Sequence, residues 1–138
     1  SSELRRQMEH IAHQEQELRR LSSPVIEVWE RVLALPLIGR MSQQRFELVA
    51  ENLLQATVTK SAKKVILDLT GIETLEEADT KLLLRLCSAV ELLGCRCLLS
   101  GISPIVAQSL ALSGQSLVKL QTHATLRQAL AAAMVGTK

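Results

Sequence analysis

Short apolar runs alternate with helix-forming segments along most of this chain, and that alternation restricts the fold more than any other feature. The run KVILDL (64–69) ends at Thr70-Gly71, and the run CRCLLS (95–100) ends at Gly101. Each is followed by a segment in which apolar residues recur three and four positions apart, as in an amphipathic helix. Strands that alternate with helices form a mostly parallel sheet covered by helices.

Two further strands are predicted before these units. VIEVW (25–29) alternates apolar and polar residues, which predicts a half-buried strand, and VLALPLIG (32–39) is nearly continuous apolar, which predicts a central strand. Pro36 cannot donate a ladder hydrogen bond, so an edge or a bulge is expected there. Glu30-Arg31 between the two runs favours a tight hairpin.

Helix signals follow the strands. Ser42 can cap a helix that runs to about residue 59. A second helix is predicted from about 75 to 93, where Gly94 ends it. The inward-facing apolar residues are Phe46, Val49, Leu53 and Leu54 in the first helix, and Leu75, Ala78, Leu82, Leu86, Ala89 and Leu93 in the second.

The carboxyl-terminal part contains two more helix signals. Ser103 as the cap and Pro104 at the first helical position start a helix that ends near Gly114. A short strand, LVKL (117–120), precedes a final helix that is capped by Thr122 or Thr125 and extends to about residue 134. The predicted fold class is α/β: a linker helix over 1–21, then a domain over 22–138 with a mixed, mostly parallel sheet.

Residues 1–21 contain neither glycine nor proline and predict a helix. Its apolar residues follow a heptad seam that Glu15 interrupts, and the other positions are mostly charged or polar. Such a helix buries little by itself. It is either a solvated terminal helix or a signalling linker that pairs with its twin in a dimer. The seam residues are Leu4, Met8, Ile11 and Leu18.

Composition excludes several classes of function. The net charge of +2 is too small to indicate nucleic acid or a membrane surface as a partner. Trp29 and Phe46 are the only aromatic residues, too few for base stacking. No apolar run approaches the roughly 20 residues that span a bilayer. Three cysteines inside apolar segments indicate reduced, buried thiols and a cytoplasmic protein.

Nucleotide and metal motifs are not found. Neither glycine-rich nucleotide loop occurs in the sequence. Cys95 and Cys97 share a strand face, but no cluster completes the four ligands of a zinc site. His10 and His13 lack a third ligand, and His123 has no evident partner. No metal or cofactor is therefore predicted.

Carboxylates cluster after the strand that contains Asp68, in the stretch TLEEADT (74–80). An acid–base pair there would need an apolar pocket and an aromatic or metal-binding neighbour, and the sequence supplies neither. Thr74 and Glu77 have the spacing of a capping box, in which each side chain accepts a backbone N–H of the other. Acids in the first turn also oppose the positive end of the helix.

Together the segments resemble one known family. SSPVIEVWERVLALPLIGRM (22–41), VILDLTGIETLE (65–76) and ELLGCRCLLSGISPIVAQSL (91–110) are similar to the STAS domain of stressosome co-antagonist proteins, relatives of the anti-sigma-factor antagonists. The resemblance covers about residues 22–135. The preceding helix looks like the linker that joins a sensor domain to STAS, so the chain is expected to be the carboxyl-terminal piece of a longer protein.

The resemblance implies a non-enzymatic, cytoplasmic scaffold. Proteins of this kind assemble with themselves and with a STAS-only antagonist protein, and the complex holds a switch serine/threonine kinase until stress arrives. Phosphorylation of the STAS domains then releases the kinase. Neither nucleic acid nor a membrane is implied as a partner.

The family's phosphoacceptor pair, an Asp followed by Ser or Thr, aligns with Glu76-Glu77, so the expected hydroxyl is missing. An Asp-Thr pair follows at Asp79-Thr80, where Thr80 is either a solvent-facing helix residue or a displaced phosphosite. Ser109 occupies the place of a second phosphosite. Thr70 is expected to bond at the strand end rather than to accept phosphate.

Two other functions stay open at this stage. One is binding of a nucleotide or small ligand at the strand-end loop, which includes Asp68, Thr70 and Gly71. The other is an enzyme that uses the carboxylates between residues 68 and 79.

Overall fold

The structure, a computed structural model, describes residues 24–40, 42–112 and 120–135. Within these ranges strands and helices alternate after an initial hairpin, as predicted. The strands are β1 (Ile26–Trp29), β2 (Val32–Ile38), β3 (Lys64–Gly71), β4 (Arg96–Ser100) and β5 (Gln121–His123). The helices are α1 (Gln43–Thr59), α2 (Glu77–Leu92), α3 (Pro104–Ala111) and α4 (Leu126–Met134).

The five strands form one mixed sheet in the order β1-β2-β3-β4-β5. β1 pairs antiparallel with β2 through a turn at Glu30-Arg31, where Arg31 has φ 61°. Every other neighbouring pair is parallel. The predicted hairpin and the mostly parallel sheet are confirmed.

Pro36 lies at a register shift in the β2–β3 ladder, between Pro36 and Ile38. The predicted bulge is therefore confirmed, although β2 is not an edge strand. The β1–β2 ladder ends at the pair Ile26–Ala34, so no β1 residue requires an N–H from Pro36. Pro24 lies two residues before Ile26, and it too lacks an N–H.

Two apolar clusters cover the two faces of the sheet. The larger one joins β2, β3 and β4 to α1, α2 and α3 around fully buried residues such as Leu35, Leu53 and Leu86. The smaller one places Ala129 and Ala133 of α4 against Ile66 and Leu98. Small side chains on α4 let the helix approach the sheet closely, so one short helix covers part of this face.

β1 is more exposed than its alternating pattern predicts. Ile26 is 46% exposed and Trp29 is 45% exposed, while Val25 and Val28 are partly buried against the clusters. The prediction of a half-buried strand is wrong for Ile26 and Trp29, because β1 is an edge strand and pairs only with β2.

Helix starts follow the sequence signals in three of four cases. Ser42, Ser103 and Thr125 each accept a hydrogen bond from the backbone N–H three residues on, and Pro104 is the first residue of α3. Gly94, with φ 85°, follows the end of α2 as predicted. Thr122 is not a cap, because it lies in β5.

The last strand differs from its prediction. The described strand β5 covers Gln121–His123, just after the predicted range 117–120, and its register pairs Leu99 with Thr122. Leu120 precedes the strand, and residues 117–119 lie outside the described ranges. The predicted end of α3 near Gly114 also lies outside them, since the described helix ends at Ala111. The linker residues Leu4, Met8, Ile11 and Leu18 are likewise not described.

Candidate functional site

Helix α2 begins two residues later than its predicted capping box. Glu76 is the N-cap, and its backbone N–H donates to Oδ2 of Asp79 at 3.1 Å. The prediction that Thr74 and Glu77 form the box is therefore wrong. Leu75 is only 7% exposed and belongs to the larger cluster. Its burial directs the chain into the core before the helix can start.

Arg40 joins the end of β2 to the first turn of α2. Its Nη2 lies 3.0 Å from Oε2 of Glu76, and its Nε lies 3.3 Å from Oδ2 of Asp79. Asp79 is 3% exposed, and a carboxylate so deeply buried requires such a partner. Sequence reasoning missed this residue, because 36 positions separate Arg40 from Glu76 and no motif connects them.

Arg45 of α1 holds the loop that carries Arg40. Its Nη1 donates to the backbone oxygen of Ile38 and, at 2.9 Å, to that of Arg40. Burial lowers the pKa of the Arg45 guanidinium, which nevertheless stays charged at neutral pH. α1 therefore fixes the position from which Arg40 reaches α2.

Glu77 projects into solvent from the first turn of α2. Its side chain is 84% exposed and pairs with Lys81 at 3.5 Å, an i,i+4 contact of the kind that contributes little. Thr74 is also exposed. We call the exposed residues Arg40, Thr74, Glu76 and Glu77 the α2 entry surface. The structure thus brings together three of the predicted regulatory residues.

Thr80, the fourth predicted regulatory residue, does not join the α2 entry surface. It is 2% exposed, and its Oγ1 donates to the backbone oxygen of Glu76 at 3.1 Å. The prediction of a solvent-facing Thr80 is wrong. Its hydroxyl stabilises the helix start, and in this structure a kinase could not reach it.

A second polar group lies where β3 and β4 end. Asp68 is 8% exposed, and its Oδ1 accepts from Ser100 Oγ at 2.8 Å and from Thr70 Oγ1 at 2.9 Å. Thr70 therefore bonds at the strand end, as predicted. Gly71 lies at the same edge beside Ile38. These partners satisfy the carboxylate and hold two strand ends together.

Ser109 is half-buried on α3, and its Oγ donates to the backbone oxygen of Ile105 at 3.2 Å. The hydroxyl is thus used within its own helix. The structure places Ser109 on a different helix from the α2 entry surface, so the two predicted phosphosites are separate positions.

The three cysteines are buried and free. A hydrogen bond from Cys87, together with burial, raises the pKa of the Cys97 thiol, and burial raises that of Cys95. Cys95 Sγ donates to the backbone oxygen of Ala62 at 3.1 Å. The thiols of Cys95 and Cys97 are therefore protonated and unreactive at neutral pH, as expected for core residues.

The described ranges contain neither a metal-ligand cluster nor a membrane-spanning helix. No group of three His, Cys, Asp or Glu side chains in them is placed to hold a metal ion. None of their helices is long and apolar enough to cross a membrane.

The STAS domain model matches residues 23–129, and the chain belongs to the STAS domain family. Among its relatives is the RsbT co-antagonist protein RsbRA of Bacillus subtilis, 32% identical over 117 residues. The match covers 85% of this chain and 43% of RsbRA. The chain therefore spans less than half the length of that relative.

Solved structures agree with this assignment. An RsbS variant of Moorella thermoacetica, with glutamate in place of one serine, superimposes with a TM-score of 0.70 at 25% identity. It covers 80% of this chain and 92% of RsbS. A chain of the stressosome, a signal integration and transduction hub, superimposes with a TM-score of 0.71 at 25% identity, covering 79% and 94% of the two chains. The predicted STAS fold is confirmed, and the chain is similar to stressosome co-antagonists.

Proposed function

We propose that this chain is a non-catalytic STAS module of a stressosome-type complex in the cytoplasm. It assembles with a STAS-only antagonist protein and with other copies of itself, and the assembly holds a switch serine/threonine kinase until an upstream sensor responds. The similarity to RsbRA and to the stressosome chain supports this function. The observation that carries it is the α2 entry surface, where Arg40 fixes an exposed acidic helix start.

Glu77 gives the α2 entry surface a negative charge that does not depend on phosphorylation. It lies at the position that the family resemblance assigns to the phosphoacceptor, and its side chain points into solvent at a helix N-terminus. An anion there is favourable because the helix dipole is positive at that end. A carboxylate carries one negative charge and a phosphate nearly two, so Glu77 imitates the phosphorylated state in part.

The assembly proposal predicts that a charge reversal on the α2 entry surface weakens the complex. Glu77→Arg should reduce co-elution with the STAS-only partner and the switch kinase in size-exclusion chromatography by about tenfold or more. Glu51→Arg is the matched control, because Glu51 is an exposed glutamate on α1. The proposal fails if the unaltered chain never co-elutes, or if both variants lose binding equally.

If Glu77 takes the place of a phosphorylated residue, the kinase should not modify the first turn of α2. Mass spectrometry of the kinase-treated chain should find no phosphate between Thr74 and Thr80, and Glu77→Thr should acquire one there. Modification of Ser109 is compatible with both results, since it lies on α3. Phosphate on Thr74 or Thr80 of the unaltered chain would contradict the assignment of Glu77 as a fixed substitute.

A further inference from the structure

We propose that Leu21 and the arginines before it, Arg19 and Arg20, dock in the cleft between the end of β2 and the start of α2 of their own chain. The amino-terminal segment would thereby contact the loop that carries Arg40. This inference goes beyond the proposed function and does not depend on which partners the assembly contains.

The topology of β1 allows the segment to reach this cleft. β1 is antiparallel to β2, so its first residue, Ile26, lies towards the end of β2. Ile38 lies four residues beyond Ala34, the partner of Ile26, which is about 13 Å along the strand. Leu21 precedes Ile26 by five residues, which span up to about 17 Å when extended. Five residues are therefore long enough for Leu21 to reach Ile38.

The cleft has one large apolar side chain, that of Ile38, which the described residues leave about half uncovered. The volume of the cleft is about 330 Å³, and Ile38, Gly39, Arg40, Gly71, Glu73 and Thr74 line it. The side chain of Ile38 lies against Gly71 but is 55% exposed. Ile26, at the near end of β1, is 46% exposed. Leu21 is the one leucine of residues 1–21 outside the heptad seam. Pairing of the seam in a dimer would therefore not prevent Leu21 from contacting Ile38 and Ile26.

Charge complementarity also favours the segment that contains Arg19 and Arg20 as the occupant of the cleft. Glu73 is exposed and forms no ion pair with the residues that the structure describes, whereas Arg40 is already engaged by Glu76 and Asp79. The cleft therefore offers the carboxylate of Glu73, which has no ion-pair partner among the described residues, together with the exposed apolar side chain of Ile38. A segment that presents a leucine next to two arginines matches both features.

Disulfide trapping in the full chain tests the proposal. Leu21→Cys with Ile38→Cys should form an intramolecular bond under mild oxidation, while Leu4→Cys with Ile38→Cys should not. The three native thiols are buried, so they should stay outside the reaction. A bond that forms only between two chains would place a second copy's segment in the cleft and overturn the proposal. So would equal yields from the two pairs.

Hydrogen exchange gives an independent readout at the same cleft. The N–H of Gly39 donates to the backbone oxygen of Gly71 at 3.3 Å, so this amide reports opening of the cleft. Leu21→Ser should speed its exchange about tenfold, which corresponds to about 1.4 kcal/mol. Leu4→Ser should leave it unchanged. Unchanged exchange in Leu21→Ser, or the same acceleration in Leu4→Ser, would overturn the docking.

Discussion

Gly101 determines how closely the ends of β3 and β4 can approach. It has φ 69°, and a Cβ at this position would lie 2.1 Å from Thr70 Oγ1 and 2.7 Å from Thr70 N. The hydroxyl could rotate away, but the backbone nitrogen cannot. The same Cβ would also lie 2.8 Å from the Asp68 oxygen that accepts two hydrogen bonds. Position 101 thus requires glycine for space as well as for conformation.

We expect Gly101→Ala to destabilise the fold by about 3 kcal/mol or more, because backbone must move and a buried network is disturbed. Gly94→Ala is the matched control. Gly94 also has positive φ, at 85°, but nothing lies within 4 Å of its added Cβ, so only conformational strain of about 1 kcal/mol is expected. Urea unfolding measures both, and equal losses would refute the steric explanation.

At the scale of elements, the start of α2 depends on Asp79 and not on Thr74. Asp79 accepts the N–H of Glu76 and pairs with Arg40, whereas Thr74 precedes the N-cap and is exposed. The helix is thereby joined to the end of β2 as well as capped. A change at Asp79 removes both contacts at once.

Three substitutions distinguish the observed cap of α2 from the predicted one. Thr74→Ala should change the free energy of unfolding by less than about 0.5 kcal/mol. Asp79→Ala should lower the free energy of unfolding by about 1–3 kcal/mol. It leaves the Glu76 N–H without its acceptor, and it removes the buried carboxylate that pairs with Arg40. Asp79→Asn should fall between them, since an amide oxygen can still accept. Denaturant titration of the three variants tests this order, and a larger loss in Thr74→Ala would reverse it.

The sequence predicts elements better than the contacts between them. Ser42 and Ser103 each cap a helix by accepting the N–H three residues on, and Pro104 is itself the first helical residue. The local sequence is therefore sufficient to predict these helix starts. The capping box failed because Thr74-x-x-Glu77 and Glu76-x-x-Asp79 have the same spacing, and burial of Leu75 decides between them. Arg40 could not be found, because its partners are brought near only by the order of the strands.

At the scale of the whole molecule, the sheet is protected unequally. Three helices cover one face through a large apolar cluster, while α4 covers part of the other, and β1 leaves one edge of the described sheet unpaired. An open edge and exposed apolar residues are typical of a module that functions within an assembly.

The amino-terminal segment is expected to make this module a dimer. Light scattering of the full chain should give about twice the monomer mass of 15.2 kDa, because the heptad seam of residues 1–21 buries its leucines only against a twin. Leu4→Glu with Ile11→Glu should return the monomer, and Gln7→Glu with Gln14→Glu, outside the seam, should not. A monomer at every concentration of the unaltered chain would refute the dimer.

Trp29 gives the molecule an unusual optical property. The chain has one tryptophan and no tyrosine, so nearly all of its ultraviolet fluorescence originates from a side chain at the sheet edge that is 45% exposed. Because this side chain is partly exposed, we expect its emission in the folded state to lie towards that of indole in water. We therefore expect a small change in the intrinsic signal when the core unfolds, and a shift to shorter wavelength when another surface covers β1.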